Sequence, residues 1–240
     1  AASPPRRRVR APQLRLEGIS LERYRDLTGK EKRALADSFS RPIYPVLTPL
    51  AVDSGHPFPH ISNLSLNMLI VIEDSRGEHV ARMKIPSVVS RFVRVPEPER
   101  ADNHRAPRRM RFVLLEDVIE ANVHQLFPGK KVRETHIFRL TRDADLEFRE
   151  GDSESLLQTV EEELEQRHFG FVVRLTVEPG MPAELRSWLA DKLSVSPDDI
   201  YELERPHALS EAMQLYGLDR PDLKDPPFTP RVPLAVRESE

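Results

Sequence analysis

Alternating apolar and polar residues predict the strands of this chain. Leu64, Leu66, Met68, Ile70 and Ile72 recur at every second position, a period that turns one face of a strand toward a core. The run from Asp74 to Gly77 has the composition of a tight turn, which predicts a hairpin returning from His79 to Ile85. Further strands are expected over residues 91–95, 110–114, 131–140, 171–177 and 200–203.

Apolar residues at helical spacing predict four helices. Thr28 and Glu31 have the spacing of a capping box, in which each satisfies a backbone donor of the other, so a helix is expected over 29–38. The other three helices would begin at Leu115, at Asp152 or Ser153, and at Pro182. They would carry the apolar residues Leu115, Val118, Ile119 and Val123, then Leu156, Val160 and Leu164, then Leu185, Leu189 and Leu193.

Prolines interrupt these periodic segments. From Arg41 to Pro59 they recur too often for a helix or a central strand, so a stiff extended strap is expected. The polar, proline-containing segment 96–107 is expected to be an exposed loop. Hairpins are prominent and glycine-rich crossover turns are missing from the sequence. The fold class is therefore expected to be α+β, a mainly antiparallel sheet or barrel with packed helices and an additional N-terminal helix.

Composition limits the classes of function. The chain has 240 residues, enough for one large core, and its zero cysteines exclude disulfides, thiol catalysis and thiolate metal sites. No apolar run has the length of a membrane span, so we expect a cytoplasmic protein. Residues 1–12 are rich in proline and arginine and are expected to be a disordered tail.

The charge balance does not favour a surface that grips long polyanions. Lys and Arg total 36 against 39 for Asp and Glu, a formal net charge of −3. Basic residues do cluster at 6–8, 108–111 and 130–131. Each cluster could hold a polyanion, or it could be a solvated loop, which is the more common role of such runs.

Standalone catalytic motifs are missing from the sequence. Gly129-Lys130-Lys131 lacks the upstream glycine and the hydroxyl of a P-loop, and neither Gly-x-Ser-x-Gly nor His-Glu-x-x-His occurs. His56 and His60 have metal-ligand spacing only on a helix, which Pro57 and Pro59 forbid. We therefore assign no catalytic, cofactor-binding or metal-binding residue.

The most suggestive polar set follows the strand over 131–140. Arg139, Arg142, Asp143 and Asp145 could place two carboxylates for Mg²⁺ beside an arginine for phosphate. The alternative is a turn in which Asp143 accepts backbone amides and Arg142 pairs with Asp145.

A second candidate position lies near the end of the sequence. Lys224 and Arg231 stand among Pro226, Pro227 and Pro230, where they could approach an anionic substrate path. They could equally serve only to solubilise an extended linker over 226–240.

Five segments together resemble one enzyme family. The proline-rich segment Pro45 to Asn67 comes first, and it is followed in order by Leu126-Phe-Pro-Gly129, His136-Ile-Phe-Arg-Leu-Thr-Arg-Asp-Ala-Asp145, Arg167-His-Phe-Gly170, and the segment Leu215 to Pro233. They are similar to the large, histidine-phosphorylating polyphosphate kinases of bacteria, and they extend over most of the chain.

The resemblance implies a place for this chain within a larger enzyme. Residues 13–40 would be the helical end of an N-terminal domain, 41–225 the middle or head domain, and 226–240 a linker toward a catalytic half. The resemblance also implies that the full enzyme moves the terminal phosphate of ATP onto polyphosphate through a phosphohistidine, with Mg²⁺. That family's catalytic half carries His-x-Lys, and no histidine of this chain is followed two residues later by lysine.

These implications give the expected function. The chain would be catalytically incomplete alone, an architectural and oligomerisation domain whose partners are the remaining domains and a second copy, with polyphosphate bound only in the full enzyme and no nucleic acid or membrane. A freestanding module that binds polyphosphate or nucleic acid is the alternative, and it would show steeply salt-dependent binding. An autonomous phosphotransferase, the third possibility, would show ATP-dependent labelling of a histidine.

Overall fold

Two β-sheets organise the part of the chain that the structure describes. The computed structural model describes residues 13–52, 58–96, 109–143, 170–204 and 209–226. The strands in these ranges are β1 (Ile19–Leu21), β2 (Pro49–Val52), β3 (Leu66–Asp74), β4 (Gly77–Lys84), β5 (Phe92–Arg94), β6 (Met110–Leu114), β7 (Lys131–Arg142), β8 (Val172–Val177) and β9 (Ile200–Glu202). One sheet has six strands in the order β2-β4-β3-β7-β8-β9, antiparallel except between β8 and β9, and the other has the order β1-β6-β5. The α+β prediction with mainly antiparallel sheets is confirmed.

The β3–β4 hairpin forms where the turn residues predicted it. Asp74 lies opposite Gly77, whose φ of 118° is strained for any residue with a side chain. The carboxylate of Asp74 accepts a hydrogen bond from the backbone N–H of Arg76 at 2.8 Å and is paired with Lys130 at 3.0 Å. These contacts lower the pKa of Asp74 to about 2.

The three-stranded sheet contains a strand that the sequence pattern did not indicate. β1 pairs in parallel with β6, so that Ile19 lies opposite Met110, while β5 pairs with β6 in the antiparallel sense. Only Ile19 of β1 is buried. Three residues with one buried side chain carry too little periodicity to be recognised.

Four α-helices lie within the described residues. They are α1 (Gly29–Ser38), α2 (Leu115–Asn122), α3 (Ala183–Leu193) and α4 (Met213–Tyr216), and 3-10 turns adjoin several of them. The predicted capping box of α1 is present, because the backbone N–H of Glu31 donates to Thr28 Oγ1 at 3.4 Å and the N–H of Thr28 donates to Glu31 Oε2 at 2.8 Å. The helix predicted over 115–126 is α2 with a 3-10 turn at Val123–Leu126, and the helix predicted from Pro182 is α3.

Both faces of the six-stranded sheet are buried, which corrects the prediction of a single core face for β3. The first face carries Leu66, Met68 and Ile70, which lie in one apolar cluster with residues of α1 and α2. The second face carries Leu69, which packs in a separate cluster with Phe138 and residues of α3. Because helices cover the sheet on both sides, the residues of β3 that lie between the alternating apolar positions are buried as well.

The proline-rich strap is only partly extended, which corrects another prediction. The chain forms a π-helical turn over Phe39–Ile43 with Pro42 inside it, then a 3-10 turn over Tyr44–Val46. It then becomes β2, which pairs with β4 and forms one edge of the sheet. An edge position suits Pro49, because proline lacks the N–H that a central strand needs for its second neighbour.

Several predictions fall outside the described residues. They are the tail over 1–12, most of the loop over 96–107, the helix expected to begin at Asp152 or Ser153, and nearly all of the linker over 226–240. In the described ranges, no helix has both the length and the apolar character needed to cross a membrane.

Candidate functional site

The candidate arginines of β7 lie on opposite faces of the sheet. Arg139 pairs with Leu66 of the first face, and its guanidinium donates to the backbone carbonyl of Leu64. A register shift between Thr141 and Arg142 interrupts the end of β7, and Arg142 lies opposite Val172 of β8, which packs against the apolar cluster of the second face. The two arginines that the sequence placed together therefore do not converge on one site.

Arg142 joins two backbone segments. Its Nε donates to the carbonyl of Ile61 at 2.9 Å and its Nη1 to the carbonyl of Gly170 at 2.7 Å, while its backbone N–H donates to Asn63 Oδ1 at 2.8 Å. Burial lowers the pKa of Arg142. Asp145, its predicted partner, lies outside the described residues.

Gly170 and Asp143 make a close backbone contact beside this arginine. The N–H of Asp143 donates to the carbonyl of Phe171 at 2.8 Å. A Cβ atom at Gly170 would lie 2.3 Å from the carbonyl oxygen of Asp143, closer than real Cβ contacts. The glycine of the Arg167-His-Phe-Gly170 motif is thus required by packing at the start of β8.

A charged network beside Arg139 connects both sheets to residues 209–226, hereafter the C-terminal segment. Arg91, which precedes β5, donates through Nε to both carboxylate oxygens of Glu116 at 3.0 and 3.1 Å, and its Nη1 bonds Glu211. Glu211 also lies 3.6 Å from Nη2 of Arg139. One carboxylate of the C-terminal segment therefore bridges an arginine beside the three-stranded sheet and another on the six-stranded sheet.

Carboxylates offset the burial of Arg91 more fully than that of Arg139. Burial alone would lower the pKa of Arg91, but its bonds to Glu116 and Glu211 outweigh burial and raise it. Burial lowers the pKa of Arg139, with Glu211 opposing this effect and Arg91 adding to it. Among the described atoms, Nη1 of Arg139 is buried without a hydrogen-bond acceptor.

Further contacts attach the C-terminal segment. The side-chain oxygen of Gln214 accepts from the backbone N–H of Arg91 at 2.9 Å and from Ser90 Oγ at 3.1 Å. Arg220 donates to the carbonyl of Glu17 at 2.6 Å and lies 3.3 Å from the carboxylate of the same residue. Residues 17 and 220 therefore meet in space, although they are 203 positions apart.

The remaining candidates are separate from this network. The Nζ of Lys224 lies 5.1 Å from the ring centre of Tyr216, a cation–π contact within the C-terminal segment. Arg231 lies outside the described residues. Within those residues no group of three His, Asp or Glu side chains has the arrangement of a metal site.

Sequence reasoning missed Arg91, Glu116, Glu211 and Gln214. Glu116 stands in the first turn of α2, where a carboxylate is favoured by the helix dipole alone, and Arg91 lies just before the short strand β5. Their contact spans 25 positions and that of Arg91 with Glu211 spans 120. No local pattern indicates pairing over such separations.

Comparison with known proteins places the chain in a family. The model of the polyphosphate kinase middle domain matches residues 30–215. The chain belongs to the polyphosphate kinase family. A polyphosphate kinase of Mycolicibacterium gilvum is 44% identical over 231 residues, covering 95% of this chain and 31% of the relative. The polyphosphate kinase 1 of Chlorobaculum tepidum is 42% identical over 221 residues, covering 91% of this chain and 31% of the relative.

The chain is shorter than these polyphosphate kinases. It spans about a third of the length of the two relatives above, and 60% of a polyphosphate kinase of Aphanizomenon baltica that is 42% identical over 232 residues. The crystal structure of polyphosphate kinase from Porphyromonas gingivalis has a similar fold, with a TM-score of 0.63, 20% identity, and coverage of 93% of this chain and 31% of that chain. The recognition made from the five sequence segments is confirmed.

Proposed function

We propose that this chain is an architectural domain within a longer polyphosphate kinase. It would hold the parts that precede and follow it in register. The observation that carries this proposal is the contact of Arg220 with Glu17, which brings the two ends of the described fold together. Domains whose ends lie close together are readily inserted between other domains.

The charged network supports the same role. Glu211 and Gln214 fix the C-terminal segment to Arg91, and Arg91 is held in turn by Glu116. Buried ion pairs of this kind set orientation more than they add stability. Contacts with both sheets therefore hold the C-terminal segment in place.

The domain division is part of this proposal. Residues 13–40 would close an N-terminal domain, 41–225 would form the head, and 226–240 would lead to a catalytic half. Leu35 and Phe39 of the first segment lie in the same apolar cluster as Met68 of the head, so any such boundary crosses a shared core. A large hydrophobic interface limits relative motion of neighbouring domains.

Catalysis would take place outside this chain. The resemblance implies transfer of the terminal phosphate of ATP to polyphosphate through a phosphohistidine, with Mg²⁺. We expect no label on any of the eight histidines when the purified chain is incubated with ATP labelled at the γ-phosphate and Mg²⁺. Labelling of a histidine, or lengthening of polyphosphate by the chain alone, would show an autonomous phosphotransferase instead.

The described basic clusters favour architecture over polyanion binding. Arg111 is paired with Glu22 and Glu31, and Lys130 with Asp74. Cations already paired with carboxylates release fewer counterions when they meet a polyanion. Affinity for long-chain polyphosphate, measured across a salt series, should therefore show no steep decrease with salt, whereas a steep decrease would establish the alternative function.

A further inference from the structure

Arg82 occupies an unusual position on the second face of the six-stranded sheet. It lies in the middle of β4, opposite Leu50 of β2 and Leu69 of β3. The residue is only 6% exposed. A guanidinium this deeply buried is normally compensated by a carboxylate.

Arg82 has no such compensation among the described residues. Its Nε donates to Asn67 Oδ1 at 3.0 Å, a neutral acceptor, and none of the described carboxylates lies within ion-pair distance of it. Burial is the cause that lowers the pKa of Arg82, whereas carboxylates raise the pKa of Arg91. The Nη groups of Arg82 therefore retain unused donors beside a fixed Nε.

A ring of hydrogen bonds holds the arginine beside a second cation. Asn67 Nδ2 donates to both the carbonyl and Oγ of Ser65 at 3.0 Å, and Ser65 Oγ donates to the carbonyl of Ser62 at 2.7 Å. Lys84 Nζ donates to Ser62 Oγ at 3.3 Å, so the hydrogen bonds connect Arg82 to Lys84, and the backbone of β4 between these two residues completes the ring. Lys84 is two positions after Arg82 on β4, so both cations point to the same face of the sheet.

Two described carboxylates on this side of the sheet are engaged with His136. Glu134 and Glu178 lie 3.1 and 3.2 Å from the two ring nitrogens of His136. His136 is separated from Arg82 by the intervening strand, since both residues pair with Leu69. The ring around Arg82 thus combines two cations with neutral amide and hydroxyl groups.

We propose that Arg82 and Lys84 form a binding site for a single phosphate-type oxyanion. The guanidinium offers two parallel donors that match two oxygens of a phosphate group, and the ammonium adds a point charge from the exposed side. The amide and hydroxyl groups of the ring fix the arginine before the anion arrives. This site goes beyond the architectural function and does not depend on it.

The first test measures binding of inorganic phosphate to the full chain by titration calorimetry at constant ionic strength. Arg82→Met should weaken binding by about tenfold or more, because hydrogen bonds to a charged group are lost. Lys84→Met should also weaken binding, and since Lys84 is exposed this variant should fold normally. Arg133→Met is the matched control, because Arg133 is paired with Glu73 and lies outside the ring.

The second test separates a ligand-binding arginine from a structural one. In phosphate-free buffer the thermal unfolding midpoint of Arg82→Met should equal or exceed that of the wild type, because an uncompensated buried charge has been removed. Phosphate should raise the midpoint of the wild type and of Arg133→Met, but not that of Arg82→Met. A large loss of stability in phosphate-free Arg82→Met would show that the chain itself supplies the partner, and it would overturn the proposal.

The source of the phosphate group is distinguished by a second probe, linear triphosphate. If the site is enclosed and fits only the free ion, inorganic phosphate binds and triphosphate does not. If the site is open to the end of a polyphosphate, both probes bind. Either result, if it is lost in Arg82→Met, supports the proposal. Binding of neither probe, or equal binding by wild type and Arg82→Met, contradicts it.

Discussion

Three arginines of the described residues have three kinds of partner, and the partner determines what each one does. Arg91 is neutralised by Glu116 and Glu211 and fixes the C-terminal segment. Arg142 donates to the carbonyls of Ile61 and Gly170 and joins two backbone segments. Arg82 has a single amide acceptor among the described residues, which leaves its charge available to a ligand.

Gly170 provides a direct test of the contact at the start of β8. Gly170→Ala should destabilise the protein by about 1–3 kcal/mol, because the added Cβ would collide with the carbonyl oxygen of Asp143. Gly180→Ala is the matched control, since a Cβ at Gly180 meets no atom within 4 Å and should change stability by about 0.5 kcal/mol or less. Denaturant unfolding measures both, and equal effects of the two changes would contradict the contact.

His136 should make stability depend on pH. Burial alone would lower the pKa of His136, but the carboxylates of Glu178 and Glu134, 3.2 and 3.1 Å from its ring nitrogens, outweigh burial and raise the pKa above its ordinary value of 6.5. Since the pKa is raised on folding, the stabilising contribution is complete below 6.5 and is lost as pH increases through the folded value.

Two histidine variants measure this contribution. The difference in unfolding free energy between wild type and His136→Gln should shrink as pH rises above 6.5 and through the raised pKa of His136. His124→Gln, a change at an exposed histidine, should show no such trend. A difference for His136→Gln that stays constant with pH would exclude a charged imidazole at this position.

At the scale of elements, α1 is defined by local contacts and the C-terminal segment by distant ones. The capping box of α1 is formed by residues three positions apart. The C-terminal segment contains only the four-residue helix α4 and short 3-10 turns. Helices this short have little stability of their own, so the segment depends on its contacts with Arg91 and Glu17.

The capping box should contribute measurably to α1. Thr28→Ala removes the acceptor for the N–H of Glu31 and should lower the unfolding free energy by about 1 kcal/mol. Thr28→Ser keeps a hydroxyl in the same place and should retain most of that stability. If both changes have the same effect in denaturant unfolding, the hydroxyl is not the stabilising group.

The C-terminal segment should loosen when its bridging carboxylate is neutralised. Glu211→Gln removes the charge from the contact with Arg91 and should speed amide hydrogen exchange in residues 209–226 by about fivefold, equivalent to about 1 kcal/mol. Glu202→Gln, which affects the exposed pair with Arg186, is the control and should leave that exchange unchanged. Unchanged exchange in Glu211→Gln would mean that other contacts hold the segment.

At the scale of the whole molecule, helices on both faces of one sheet leave its two edges as open backbone. β2 forms one edge and β9 the other in the described fold. The side chains of Tyr201 in β9 and Leu50 in β2 are 45% and 40% exposed. A domain with such edges can associate with a second copy.

We expect the purified chain to self-associate, in accordance with the oligomerisation role that the family resemblance implies. Sedimentation velocity across a concentration series should show the mass increasing with concentration, because an interface between copies dissociates on dilution. A monomeric mass at every concentration would exclude this role for the isolated chain. Gel filtration at matched loading concentrations provides an independent check.

Local sequence determined those parts of the fold that depend on residues a few positions apart. The turn at Asp74 to Gly77, the capping box at Thr28 and the helical apolar stripe from Leu115 all specify structure through short-range contacts, and each one is present. The strand β1 could not be read in this way, because it is stabilised by pairing with Met110 and its neighbours. Strand pairing depends on contacts between residues that are distant in the sequence. A short strand therefore has little recognisable pattern of its own.

The sequence by itself determined the family, the α+β class and most elements, because these depend on composition and on nearby residues. Only the tertiary structure decided which charges meet. It separated Arg139 from Arg142 by placing them on opposite faces of β7, and it brought Arg220 to Glu17. It also buried Arg82 without a carboxylate among the described residues. Whether two charged side chains neutralise each other depends on the distance between them in space, and their separation along the chain does not reveal that distance.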